Sequence, residues 1–160
     1  MTVRTKIITI LAIAMSMLLF ANTITAAIVK FGKAEYMPPK AEGSKKKEGN
    51  PVKGEVCFDR DAKAFTFVDD KGNTVVAIPY DKVKSMLYER TSHPRYAEAI
   101  LISPFFLFSK TKKHFLTIQY TNAAGEGQFA MIHMDKGNAR DIVAQAEADT
   151  GTKVDLSEER

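Results

Sequence analysis

Hydrophobic residues fall into three regimes along this chain. Residues 7–20 are an almost unbroken run of Ile, Leu, Met, Ala and Phe. Residues 28–53 are mainly Lys, Glu and Ala interrupted by Pro and Gly, and from Gly54 onward short apolar stretches alternate with turn residues. In that last regime, residues 55–59, 64–68 and 74–78 show period-two alternation or a short β-rich run, with Asp59-Arg60-Asp61 and Asp70-Lys71-Gly72-Asn73 between them. Successive side chains of a strand point to opposite faces, so this spacing predicts an antiparallel meander. Ile78-Pro79-Tyr80-Asp81 turns the chain into a short helical or irregular piece, and residues 85–89 offer a fourth strand. Residues 114–120 and 128–134 flank the Gly-rich turn 122–127 and predict a second hairpin.

The closing element is predicted to be a helix. Asn138 is placed as N-cap, Asp141 puts negative charge at the positive helix end, and Gly151 can take the left-handed conformation that ends a helix. Ala139, Ile142, Val143 and Ala146 fall on one narrow stripe, which should cover an open end or face of the sheet. The segment 97–108 resists assignment. Pro104 breaks regular structure, and Phe105, Phe106, Leu107 and Phe108 stand just before Lys110, Lys112 and Lys113. These four residues either complete the core or form an exposed apolar patch edged by lysines, suited to a partner protein or a membrane surface.

The first regime has the layout of a secretory signal peptide over residues 1–27. Arg4 and Lys6 precede the apolar run, and the small residues Thr25, Ala26 and Ala27 supply the cleavage region. The competing reading is an uncleaved anchor over residues 7–29, because 23 residues separate Lys6 from Lys30 without a charge and about 20 span a bilayer. Asn22, Thr23 and Thr25 weigh against it. The chain is therefore expected to be exported, to a periplasm or beyond. Residues 28–53 read as a flexible Lys-rich linker, residues 54–155 as one domain and residues 156–160 as a disordered tail.

Charge adds little by itself. The whole chain carries +4, but without residues 1–27 it holds 21 basic and 19 acidic residues, and from Gly54 onward 14 basic and 16 acidic. A nearly neutral domain without basic clusters interleaved with aromatics argues against nucleic acid as a partner. Cys57, the only cysteine, cannot form an internal disulfide. In a strand it shares the polar face of Glu55 and Asp59, where it is a candidate free thiol or homodimer crosslink.

The meander 54–78, the segment Ala77-Ile78-Pro79-Tyr80-Asp81-Lys82-Val83, the strand His114-Phe115-Leu116-Thr117-Ile118-Gln119-Tyr120 and the helix after Met134 together resemble a bacterial pleckstrin-homology-like domain of the GRAM-related kind. The resemblance implies a mainly β (α+β) fold: a partly open β-barrel of two antiparallel sheets, capped by the C-terminal helix. It also implies a role in binding lipid or protein, with no catalytic site. In this chain the preceding elements would be an N-terminal hydrophobic helix and the linker. Phosphoinositide-binding members cluster basic residues in the first hairpin, whereas Asp59-Arg60-Asp61-Ala62-Lys63 balances two acids against two bases.

No motif points to catalysis, a metal or a cofactor. His114 and His133 lie on strands expected to pair, but two ligands without HxH or HExxH spacing make a weak site. Ser92, Ser103 and Ser109 lie in no G-x-S-x-G elbow, and no P-loop or dinucleotide glycine pattern occurs. The expectation is an exported, non-enzymatic binding module with a protein partner. A membrane-tethered domain acting at the lipid surface is the alternative, and a small hydrolase comes third.

Overall fold

The computed structural model describes residues 28–39, 51–96 and 111–157. The leader with Thr25, Ala26 and Ala27, residues 40–50, residues 97–110 with Phe105, Phe106, Leu107 and Phe108, and residues 158–160 lie outside the described residues. The chain forms β1 (Ile28–Met37), β2 (Val52–Asp59), β3 (Ala64–Asp69), β4 (Thr74–Pro79), a 3₁₀ turn (Tyr80–Lys82), β5 (Val83–Thr91), β6 (Lys113–Thr121), β7 (Gly127–Met134), a helix α1 (Ala139–Thr150) and β8 (Val154–Ser157).

The expected meander is present as β2–β3–β4, and its turns are held by carboxylates. Asp59 Oδ1 accepts the amides of Asp61 and Ala62, and Asp69 Oδ1 those of Lys71 and Asn73. Between β2 and β3 the backbones approach so closely that a Cβ on Gly54 would stand 2.0 Å from the Val68 carbonyl oxygen. The second hairpin is β6–β7, in register from His114↔Met134 to Thr121↔Gly127.

Two expectations are corrected at the edges of the domain. The stretch 28–53 does not begin as linker: residues 28–37 are strand β1, paired with β2 on one side and, from Ala34 to Met37, with β7 on the other. Its alternation is hidden by a bulge. The register shifts between Phe31 and Ala34, and Lys33 takes φ 57°, so the inward series Val29, Phe31 resumes as Ala34, Tyr36 with its parity reversed. At the other end, Leu156 and Ser157, expected in the tail, belong to strand β8, which lies parallel to β5 with Met86↔Val154 and Tyr88↔Leu156.

The sheet is accordingly one mixed, eight-stranded sheet in the order β4-β3-β2-β1-β7-β6-β5-β8, not two antiparallel sheets. It is not closed, and β4 and β8 are its edges. The main core draws on all eight strands, including Phe58, Phe65 and Phe67 from the meander and Leu116, Ile118 and Ile132 from the second hairpin. The sheet therefore wraps around that core. Ala139, Ile142 and Ala146 of α1 are buried in it, as the narrow stripe predicted. Gly151 ends the helix at φ 69°, its amide bonded to the Glu147 carbonyl. Asn138 does not cap by its side chain; instead Nδ2 donates to the Gly32 carbonyl, 2.8 Å away, tying the helix start to the β1 bulge.

The outer face of the β1–β7–β6 region carries a second buried cluster of Met37, Phe115 and Met131, with Tyr96 and Phe129 stacked beside it. Cys57 also points away from the main core, as its alternation requires, yet it is only 4% exposed between its cross-strand neighbours Lys30 and Thr66. Burial pushes the thiol's pKa up, while Lys30 and a hydrogen bond from Thr66 act against the shift and Glu55 adds to it. A protonated, covered thiol is poorly placed as a crosslink, contrary to the expectation of an accessible polar face.

Candidate functional site

Strand alternation builds the site from the core outward. Along β5, Met86 is buried, Tyr88 half-buried and Arg90 exposed, all on the inner face; along β6, Ile118, Leu116 and His114 run the same way. The register sets Arg90 opposite His114, and His114 opposite Met134 at the end of β7. Two residues later Lys136 lies in a tight turn closed by Asn138 and Ala139 amides on the Asp135 carbonyl. Three strand ends and the start of α1 thus meet in one place. Ala139, Arg140, Val143, Ala144 and Glu147, spaced along one flank of α1, face them, and Leu156 and Ser157 of β8 complete the wall.

The cleft so formed has a volume of about 790 Å³, within the range of roughly 300–1,000 Å³ typical of ligand sites. Arg90, Lys112, Lys136 and Arg140 bring four cations to its lining, against the single carboxylate of Glu147. One oxygen of that carboxylate already accepts the Val154 amide at 2.8 Å. Ala139, Val143, Ala144 and Leu156 make the apolar wall.

His114 lies between these regions. Its Nδ1 is 2.6 Å from the Tyr88 hydroxyl oxygen and the two rings stack at 6.0 Å. Burial first, then Arg90, His133 and Lys136, hold its pKa below the ordinary 6.5, with Asp135 opposing. The neutral form of the ring is therefore favoured, chiefly by burial, with Arg90 and Lys136 acting in the same direction.

β8 is fastened at its far end through Arg95. The Arg95 guanidinium donates to Ser157 Oγ at 2.6 Å, and its amide donates to the Glu89 carboxylate at 3.1 Å. Glu89 is 4% exposed and on the outer face, and burial raises its pKa against the pull of Arg95.

Of the residues weighed from sequence, His114 lines the cleft, as a partner of Tyr88 and not as half of a metal pair. Cys57 sits on the outer face of β2, and Phe105, Phe106, Leu107 and Phe108 lie outside the described residues. The two histidines do not converge, because the register sets Phe115, not His114, opposite His133. His133 belongs to the other face, where Nδ1 is 3.0 Å from Glu35 Oε2. Arg90, Lys136 and Arg140 were not anticipated. The available signal was parity: Arg90 stands in line with Met86 and Tyr88, at the end where the inner face runs out of core.

The sequence matches no family model and no curated protein. Among solved structures, a chain from the structure of the Spt16D Pob3N heterodimer is similar in fold, with a TM-score of 0.50 and 10% identity, over 84% of this chain and 57% of that one. The mainly β architecture, an open eight-stranded sheet with one helix near its C-terminal end, is consistent with a pleckstrin-homology-like fold. A synaptonemal complex protein is similar at a TM-score of 0.44 and 12% identity, over 79% of this chain and 28% of that one. This chain spans 57% of the length of the heterodimer chain it resembles, and at 10% identity the likeness is one of fold.

Proposed function

We propose that this chain is an exported, non-catalytic binding module, and that its partner is a protein seated in the cleft between α1 and strands β5, β6 and β8. The fold supports a binding role, and the leader layout of residues 1–27 supports export. The observation that carries the proposal is the distribution of charge. A region with 14 basic and 16 acidic residues from Gly54 onward places four of its cations, and one carboxylate, around one concave, partly apolar cleft. A net positive cleft on a near-neutral body favours one oriented, oppositely charged partner over diffuse adhesion to anionic surfaces.

Photocrosslinking in cells tests this. A photoreactive residue at Ala144, which is exposed in the cleft wall, is expected to trap a protein in the exported fraction, and Arg140→Glu is expected to abolish the adduct. A partner trapped only from a remote position such as Lys71 would place the site elsewhere. Turnover in an esterase or phosphatase panel would overturn the non-catalytic assignment. Export has its own check in the intact mass of the native protein: a soluble species beginning near Ile28 supports it, and a full-length species in the membrane fraction replaces it with the tethered reading.

A further inference from the structure

The cleft's length, polarity and neighbouring strand narrow the chemistry of its occupant. The flank of α1 that lines it runs from Ala139 to Glu147, about 12 Å along the helix axis, which matches roughly four residues of extended chain. Its two ends differ. Arg90, Lys136 and Arg140 gather where the strand ends meet the helix start, where the helix dipole adds to their positive potential. These three cations have no ion pair or hydrogen bond to any side chain among the described residues. Farther along α1 the lining becomes Val143 and Ala144, faced by Leu156 of β8.

Leu156 is 61% exposed, the most exposed of the large hydrophobic residues among those described. It sits on β8, which ends the sheet, so one backbone edge of β8 has no strand partner among the described residues. An exposed apolar side chain on an open strand edge suits an extended segment, whose backbone can lie along the edge while alternate side chains enter the cleft. A phosphate ion would engage the cationic end alone and leave Leu156 uncovered. A nucleic acid strand would need stacking aromatics that the cleft does not offer beyond the paired Tyr88 and His114 rings.

We infer that the cleft takes an extended acidic peptide segment of a partner protein, with its carboxylates against Arg90, Lys136 and Arg140 and an apolar side chain against Val143 and Leu156. This rests on the reading of the cleft as the partner site. The test is to pan a displayed library of random nonapeptides on the immobilised native protein. The expected result is enrichment of sequences that place Asp or Glu beside Leu, Ile or Val. Their binding should weaken about tenfold or more on Arg90→Glu with Arg140→Glu, fall with added salt, and weaken on Leu156→Asp.

All three substituted residues are exposed, so an unchanged melting temperature is expected, and Lys71→Glu on the distant β3–β4 turn serves as the neutral control. Enriched peptides without acidic excess, or binding indifferent to the paired charge reversal, would overturn the inference. So would cleft-dependent binding of phosphatidylglycerol vesicles or inorganic phosphate with no peptide enriched. If peptides fail while the Ala144 crosslink persists, the peptide chemistry falls and the cleft stands as the partner site; if the crosslink fails as well, both fall.

Discussion

Thr117 on β6 has Leu87 and Met131 as cross-strand neighbours, is 2% exposed, and has a hydroxyl oxygen without a hydrogen-bond partner. A buried, unsatisfied hydroxyl costs its desolvation without return, so Thr117→Val, which keeps the shape, is expected to stabilise the protein by about 1 kcal/mol. A higher urea midpoint at unchanged slope would register it. Glu89 concerns charge. Burial raises its carboxyl above the ordinary 4.5, and Arg95 only partly pulls it back. A carboxyl that binds protons more tightly in the fold than in the unfolded chain contributes its full stability below the unfolded value, and loses it as pH rises through the folded value. Glu89→Gln stays neutral throughout. Relative to wild type it should therefore gain stability as pH rises through the Glu89 titration, measured as the difference between the two denaturant midpoints at acid and neutral pH. A constant difference would mean that Arg95 compensates the buried charge in full.

Among the elements, α1 is the one on which the cleft depends, and it is anchored by more than its apolar stripe. The Asn138 side chain bonds the Gly32 carbonyl across to β1 and stands between Lys136 and Arg140 in sequence. Asn138→Ala should cost about 1 kcal/mol of stability and also weaken partner binding, because the start of the helix loses its tie to the sheet. Melting temperature and the Ala144 crosslink yield read the two effects separately. The strands legible in the sequence are those whose alternation is unbroken and whose turns carry Asp or Gly, namely β2 to β4 and the β6–β7 hairpin. β1 was illegible because the Gly32-Lys33 bulge reverses its parity midway. β8 has four residues of which only Val154 is buried, too short a pattern to tell from a tail. The cleft was illegible for a different reason. Its cations come from separate elements, and only the pairing of Arg90 with His114 and the turn after Met134 bring them together.

At the scale of the whole molecule, charge and connectivity set how the protein meets its surroundings. Counted from Ile28, the residues outside the cleft are nearly balanced, 17 basic against 18 acidic, so attraction to a partner should be short-ranged and local, fading as the Debye length shrinks from about 10 Å at 0.1 M salt to about 3 Å at 1 M. Connectivity concentrates on β1. The ladders β4-β3-β2 and β7-β6-β5-β8 share no backbone pairing except through it. These ten residues begin directly after the expected leader. A chain starting at Pro51 would keep the shared core residues but lose the backbone ladder between the two halves, so the protein is expected to behave as a split system. A synthetic peptide of residues 28–37 added in trans should restore a cooperative melting transition to that shortened chain, whereas the same peptide with Ala34→Asp and Tyr36→Asp should leave it without one.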